Sequence, residues 1–415
     1  MNVIYSTMVL TVWFMSTFFV VTVLLIILEK RRQLFAKVGC QEAKPKVSII
    51  LPAYNEEEGI LPALISLSNI TYPKDLYEVI VVNDGSSDNT SALVKEFISQ
   101  NRFLNIVFID RVENQGKSYS LNEAIRRASG ELIACMDGDS LVKPDILSQT
   151  VGYFSDPKMG SVSVRVNVRE PKNFLEKVID VEYVVGLSIS LKILSFLNIM
   201  HVTPGPFSIY RKSVLTELGG FDETNITEDL EIAFRIQKAG YKLSFCLSTS
   251  VSTIVPSSIK SLFKQRKRWY SGSLLTVWQH KDMMFNRKMG LFGIYVPFNY
   301  SLITMGMMLF IYSIYLFSSK ILKNINYLSL VNFDLSHFNF VLELDPLSID
   351  IFTTMAFTMI CITVILTKLS FNTLGRRIRE NVLGFIGFVF FFVFYQMFWL
   401  NSFYSVLTRK EVKWR

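Results

Sequence analysis

The sequence predicts an α/β domain with a mostly parallel sheet, set between membrane-spanning segments at both ends of the chain. Two observations predict it. Over residues 46–272, short β-branched runs alternate with polar stretches of helical character, the pattern of βαβ units. Outside that window, uncharged apolar runs reach the roughly 20 residues that carry a helix across a bilayer. A chain of 415 residues also exceeds the roughly 250–300 that one core accommodates. It therefore divides into a transmembrane helix and linker (1–45), a globular domain (46–272), and interfacial and transmembrane helices (273–415).

The first apolar run, Met8–Leu28, ends at Glu29, and Lys30-Arg31-Arg32 follows at once. A secretory signal carries its basic end first and has a shorter apolar core, so this order excludes one. The positive-inside rule then places the N-terminus outside and Lys30 onward in the cytoplasm. In the globular part, strands are expected at VSIILPA (47–53), YEVIVVND (77–84), IVFID (106–110) and ELIACMD (131–137), with helical stretches at Asn89–Gln100 and Ser118–Ala128. Apolar character returns after Trp269. Spans are expected at Gly293–Phe317, Ile351–Thr367 and Val382–Leu407, with a mixed segment at Ser318–Asp350.

Half of the residues are hydrophobic, 19% are charged, and the net charge is +8. The clearest basic clusters (Lys30-Arg31-Arg32, Arg376-Arg377-Arg379 and Arg409-Lys410) flank the apolar runs, where anionic lipid and topology place them. No basic stripe interleaved with aromatics occurs, which argues against nucleic acid. Cys40, Cys135, Cys246 and Cys361 show neither pairing nor metal-ligand spacing and read as reduced thiols. Four Asn-X-Ser/Thr triplets, at Asn69, Asn89, Asn225 and Asn299, fall in cytoplasmic or spanning sequence and read as chance. One feature resists a simple topology. Four full spans from an outside N-terminus would put the basic tail Arg409–Arg415 outside. Val382–Leu407 is therefore expected to be re-entrant, interfacial or paired, and the amphipathic stretch Phe174–Ile199 to lie on the membrane surface.

In parallel sheets ligands sit at the carboxyl ends of strands. YEVIVVND delivers Asp84 into the turn Gly85-Ser86-Ser87-Asp88, and ELIACMD delivers Asp137, followed by Gly138 and Asp139. Two neighbouring carboxylates at a sheet mouth can share a Mg²⁺ or Mn²⁺ whose remaining ligands are water and substrate phosphates. Alone, the Asp-X-Asp pattern reads more readily as a solvated turn; an apolar strand leading straight into it raises the metal reading. Pro52-Ala53-Tyr54-Asn55-Glu56 puts an aromatic and a carboxylate at another strand end, where Tyr54 can stack on a base or be an ordinary loop tyrosine. Thr227-Glu228-Asp229 opens a helical run and reads either as an N-cap with acids favoured by the dipole, or as the site of a general base, Asp229. Gln265-Arg266-Lys267-Arg268-Trp269 offers guanidiniums for a diphosphate and an indole for a sugar ring, or else a juxtamembrane basic cluster with an interfacial Trp.

Taken together and in this order, Asp84, Asp137-Gly138-Asp139, Thr227-Glu228-Asp229 and Gln265–Trp269 resemble the motifs of family 2 processive glycosyltransferases, which include hyaluronan, cellulose and poly-N-acetylglucosamine synthases. The resemblance covers residues 46–270. Asn114-Gln115-Gly116-Lys117 and Gly205-Pro206-Phe207-Ser208-Ile209-Tyr210-Arg211 also resemble stretches of the hyaluronan and amino-sugar polymer synthases. It implies a GT-A (Rossmann-like) fold, a cytoplasmic catalytic domain in a multi-pass cell-membrane protein, and an inverting single displacement. Asp84 and Tyr54 would hold the uridine, with Pro52, Glu56 and Lys117 also on the donor side. Asp139, with Asp137, would serve the metal and diphosphate. Asp229, with Glu228 beside it, would deprotonate the acceptor. Gln265, Arg266 and Arg268 would close over the diphosphate, and Trp269, Gly205 and Pro206 would shape the acceptor site. The implied partners are a UDP-sugar, tilted by residues 114–117 towards UDP-N-acetylglucosamine, a saccharide or lipid-linked acceptor, and membrane lipid. The helices after Trp269 would line a path for the growing chain. Three alternatives stay open: transfer of a single sugar to a lipid, a transporter with an accessory domain, and an inactive scaffold.

Overall fold

The computed structural model describes residues 3–35, 44–330 and 351–408. Cys40, the basic tail from Arg409 and the greater part of the mixed segment fall outside them. Eight strands form one sheet: β1 (Val47–Ala53), β2 (Tyr77–Asp84), β3 (Ile106–Arg111), β4 (Leu132–Met136), β5 (Leu141–Val142), β6 (Met159–Val168), β7 (Phe207–Arg211) and β8 (Lys242–Thr253). Their order is β3-β2-β1-β4-β7-β6-β8-β5. The half built from β3, β2, β1 and β4 is wholly parallel. Beyond it β7 runs antiparallel to both β4 and β6, β8 runs parallel to β6, and β5 pairs antiparallel with β8. The sheet is mostly parallel by its pairings, as expected, with antiparallel partners only at β7 and β5, and its wholly parallel half contains every strand expected from the sequence.

The reason lies in the side chains. β1, β2 and β4 are buried on both faces and are predominantly apolar, broken only by Ser48 in β1 and by Glu78, Asn83 and Asp84 in β2. Val47, Ile49 and Leu51 enter one core layer and Ile50 enters the other. The first layer is closed by α3 (Ile60–Ser68), α4 (Thr90–Gln100) and α7 (Phe174–Val184), the second by α5 (Lys117–Arg127) and α10 (Glu228–Lys238). Between these lie the short α6 (Ile146–Thr150), α8 (Leu191–Phe196) and α9 (Lys212–Glu217). β6, in contrast, alternates Ser and Val, and its serines are buried as deeply as its valines. They are satisfied across the sheet: Ser161 donates to the Ile209 carbonyl at 2.8 Å, and the Ser163 and Ser208 hydroxyls meet at 2.8 Å.

The membrane helices are rooted in this core. α1 (Val3–Glu29) buries Val23 and Ile27 in the second layer, and α2 (Arg31–Leu34) adds Leu34. After α11 (Ile259–Gln279), α12 (Phe292–Leu330) begins with Phe292 and Val296 in the same layer. The boundary expected at 272 thus falls inside α11. α1, α12 and α13 (Ile351–Thr373) are long and apolar enough to cross a bilayer. α12 and α13 extend beyond the spans read from the sequence, to 39 and 23 residues. α14 (Val382–Leu407) is bent by 52° between two arms. Both arms lie on the globular domain. Asn381 donates to the Lys177 carbonyl at 2.9 Å, while Phe398 meets Phe263 edge-on and Trp399 stacks on Tyr270 at 4.1 Å. A bend of this size fits a broken span or a re-entrant segment. Phe174–Ile199 differs from the membrane-surface stretch expected: α7 packs between β6 and α14, with Val178, Ile179 and Val181 fully buried. Its second apolar face is explained by α14, a partner about 200 residues away that periodicity cannot reveal.

Candidate active site

The mixed topology brings distant residues to one edge. β1, β2, β4, β6 and β8 all run the same way, so their carboxyl ends share that edge, while antiparallel β7 starts there. Met136 pairs with Phe207, which sets Asp137 beside Gly205-Pro206. A cavity of 840 Å³ opens at this edge, and α11 roofs it.

Asp84 is 3% exposed and deeply engaged. Its Oδ1 accepts from Arg111 at 2.6 Å and from the Gln115 amide at 3.0 Å, and its Oδ2 accepts from the Gly116 amide at 2.8 Å. It therefore moulds the 114–116 loop as well as lining the cavity. Gly85 makes this closure possible: its φ is +71°, and a Cβ there would stand 2.7 Å from the Glu113 carbonyl carbon. Asn55, at φ +53°, ties the neighbouring strand-end loop to the same turn, donating its amide to Ser86 Oγ at 2.9 Å and accepting from the Ser87 amide at 2.8 Å. Pro52, Tyr54 and Glu56 line the cavity beside it.

Lys117 is the electrostatic centre. Its Nζ lies 2.6 Å from Asp137 Oδ1 and 2.6 Å from Glu228 Oε1, and these carboxylates hold the buried ammonium firmly charged against desolvation. Gly205 approaches this cluster so closely that a Cβ would lie 3.1 Å from Asp137 Oδ2 and 3.2 Å from Lys117 Nζ. Asp139 accepts from Thr253 at 3.2 Å and from Ser140 at 3.3 Å. Burial first, and then the neighbouring Asp137 charge, push its carboxyl pKa upward.

Asp229 stands at the first turn of α10. Its Oδ2 accepts from the Gly205 amide at 3.2 Å, and its carbonyl accepts from the Thr203 hydroxyl at 2.7 Å. Desolvation, then Glu228, raise its pKa to about 6, against the opposing pull of Lys117 and Arg268. Thr227 does not cap the helix with its side chain; its hydroxyl turns to Asn225 at 3.1 Å. The helix thus starts at Thr227 without a side-chain cap, with Glu228 and Asp229 in its first turn.

Residues 48–219 match the model of Glycosyl transferase family 2. The match lies within the globular part of the chain, from β1 to just past α9. Poly-beta-1,6-N-acetyl-D-glucosamine synthase of Staphylococcus aureus (strain COL) is 31% identical over 227 residues, which are 54% of this chain and 54% of that protein. The enzyme of the same name from Staphylococcus epidermidis ATCC 35984 is 31% identical over 242 residues, 58% of this chain and 57% of that one. The matched stretch spans about half the length of these relatives. Among solved structures, the mannosyltransferase PcManGT of Pyrobaculum calidifontis, in complex with GDP-Man and Mn²⁺, superposes with a TM-score of 0.66 at 18% identity, covering 98% of this chain and 99% of that one. That likeness fixes the fold as GT-A, with apolar helices at both termini.

The cavity gathers nearly every residue singled out from the sequence: Pro52, Tyr54, Glu56, Asp84, Lys117, Asp137, Asp139, Gly205 and Pro206 from the matched stretch, and Glu228, Asp229, Gln265, Arg268 and Trp269 from the segment that follows it. Arg266 is the exception. It is 1% exposed, turned away from the cavity, and paired with Glu182 at 2.8 Å. The cause is helical geometry. Gln265, Arg268 and Trp269 share a face at i, i+3 and i+4, whereas Arg266 points about 200° from Arg268. Six lining residues lie outside the motifs of the sequence: Ser120, Tyr183, Thr253, Ile254, Ser261 and Lys264. Thr253 ends β8 and follows the same strand-end rule that finds Asp84. Tyr183 depends on the burial of α7, for which local sequence carries no signal.

Among the described residues no third carboxylate, histidine or cysteine joins Asp137 and Asp139 in a metal-holding cluster. Two hard oxygen donors, one with its pKa already raised by the other's charge, nevertheless suit a divalent cation that takes its remaining ligands from a diphosphate and water.

Proposed function

We propose that the protein is an inverting, metal-dependent membrane glycosyltransferase that polymerises sugars from a UDP-sugar donor, with UDP-N-acetylglucosamine the favoured donor. One observation carries the reading: a single 840 Å³ cavity holds the strand-end acids Asp84, Asp137 and Asp139, the candidate base Asp229, and the Gln265, Arg268 and Trp269 face of α11. The likeness to poly-beta-1,6-N-acetyl-D-glucosamine synthases supports the choice of donor.

In this reading Tyr54 and Asp84 flank the uridine, and Lys117 and Arg268 face the diphosphate. The acceptor hydroxyl, set against Trp269 and Gly205-Pro206, gives its proton to Asp229 as its oxygen bonds to the anomeric carbon. The bond from that carbon to the β-phosphate oxygen breaks, and UDP leaves. Held by Asp137 and Asp139, a Mg²⁺ or Mn²⁺ would supply charge neutralisation on that diphosphate. A base on the face opposite the leaving group gives inversion.

The basic clusters support a cytoplasmic catalytic domain. Lys30-Arg31-Arg32 follows α1 where it meets the core, and Arg376 pairs with Asp180 of α7. A groove of 470 Å³ on α12, lined by Tyr300, Ser301, Thr304 and Met308 among others, would seat a lipid chain and favours a second reading, transfer of one sugar to a lipid acceptor. The test is incubation of purified protein with individual UDP-sugars, sizing products before and after specific glycosidases. A ladder supports polymerisation, a single lipid-extractable product supports the second reading, and no turnover of any UDP-sugar overturns both.

A further inference from the structure

We infer that Glu182 is a positioning residue for the acceptor wall of the cavity, acting through Arg266 on Trp269. The inference rests on the transferase reading above for its activity arm only. Arg266 is among the most deeply buried large side chains, at 1% exposure, and the one ion pair described for it is Nη2 to Glu182 Oε2 at 2.8 Å. Its guanidinium lies over the Trp269 ring, 4.2 Å from the centroid. A buried cation stripped of its carboxylate costs several kcal/mol and tends to move towards water. Loss of Glu182 would therefore displace Arg266, and Trp269 would lose the surface it stacks on.

The surroundings direct the effect to the acceptor side. Glu182 precedes cavity-lining Tyr183 on α7, and Arg266 lies on α11 between Gln265 and Arg268. α14 clamps both helices. Gly387 sits so close to Phe174 and Val178 that a Cβ would fall 2.5 Å from the Phe174 ring, while Trp399 stacks on Tyr270. With the backbones fixed, the ion pair decides the rotamers between them. The donor acids are independent of this pair: Asp84 is held by Arg111, and Asp137 by Lys117.

The experiment uses the full chain in detergent with UDP-N-acetylglucosamine and Mn²⁺. Expected for Glu182→Gln is a fall in sugar incorporation of about tenfold or more, since small misplacements near the reacting atoms carry such costs. UDP affinity, by calorimetry, stays within about twofold because the donor network is untouched, and UDP release without incorporation rises as a share of turnover. Arg266→Met should match it, and Glu182→Gln/Arg266→Met should be no worse than either single variant, since both act through one contact. Additive losses, unchanged incorporation, or an equal loss of UDP binding would overturn the inference. If the single variants fail to fold, the charge-free double variant still must fold with impaired incorporation. A readout apart from activity is the Trp269 emission, obtained as wild type minus Trp269→Phe among the chain's 5 tryptophans. It should shift to longer wavelength in Glu182→Gln; an unchanged difference spectrum counts against the coupling. Absence of turnover by the wild type would instead overturn the transferase reading, leaving the spectroscopic arm intact.

Discussion

Asp229 accepts a hydrogen bond from the backbone amide of Gly205 at 3.2 Å, which joins the first turn of α10 to the segment that precedes β7. The bond aims a carboxylate whose pKa lies near 6 into the cavity. A base must be unprotonated, so transfer is expected to fall as pH drops through about 6. Asp229→Asn should abolish transfer while UDP binding persists. Stability should move the other way. The folded-state pKa is raised from 3.8 to about 6, so the ionised group destabilises the fold by up to about 3 kcal/mol above that pH. Asp229→Asn should therefore melt at higher temperature at pH 7.5, and the gain should shrink as pH falls from about 6 and vanish below the unfolded pKa of 3.8, where the wild-type acid is protonated in both states. A base with an ordinary carboxylate pKa would show neither the limb near 6 nor the pH-dependent gain.

Lys117 is the counter-charge for this corner, so its removal should be felt at Asp229. With Lys117→Met, Asp137 and Glu228 lose the ammonium they share at 2.6 Å each. Glu228 is buried while Asp137 is partly exposed, so stripping the cation is expected to cost about 3 kcal/mol, most of it at Glu228. Lys117 also lowers the Asp229 pKa, so any residual activity should show its acid limb displaced to higher pH. A pH–rate profile of the variant checks this; a limb in the wild-type position would separate Lys117 from the base.

How much of this site the sequence discloses depends on where each residue's partners lie. Asp84 and Asp137 end strands buried on both faces, and such strands announce themselves as apolar runs. β6 does not, because Ser161 and Ser163 occupy one face and their hydroxyls are satisfied only by β7, more than 40 residues on. The antiparallel half of the sheet was illegible for that reason. Arg266 departs from the motif for a different reason: adjacent charges in the sequence share no face on a helix, and Arg266 turns from the cavity towards Glu182. The bend in α14 was foreshadowed by the charge imbalance, although its seat on α7 and α11 is a long-range fact of packing.

The proposed metal dependence rests on the Asp137–Asp139 pair and can be tested directly. Chelation by EDTA should stop transfer, and Mn²⁺ or Mg²⁺ should restore it. Asp139→Asn removes a donor that suits the ion, so the Mn²⁺ concentration for half-maximal rate should rise by about tenfold or more. Because burial and Asp137 raise the Asp139 pKa, protons compete with the ion, and the wild-type Mn²⁺ requirement should increase on acidification. Transfer that is insensitive to EDTA would remove the metal from the reaction.

The corner between α13 and α14 offers a test of how the membrane helices are fastened to the catalytic domain. Asp180, 2% exposed on α7, binds Arg376 through both oxygens at 2.9 and 2.6 Å and accepts from Asn381 at 3.0 Å. Asp180→Ala leaves the Arg376 guanidinium without its carboxylate and the Asn381 amide with the Lys177 carbonyl alone, at an expected cost of about 3–5 kcal/mol in a buried setting. Thermal unfolding in detergent should register the loss, and proteolysis near residues 374–381 should quicken as the corner opens. Arg376 is partly exposed, so its own truncation costs less, and Asp180→Leu/Arg376→Met should recover most of the stability because no buried charge is left unpaired. If the double variant were as unstable as Asp180→Ala, the corner would be held by the shape of α7 against α14 rather than by the ion pair.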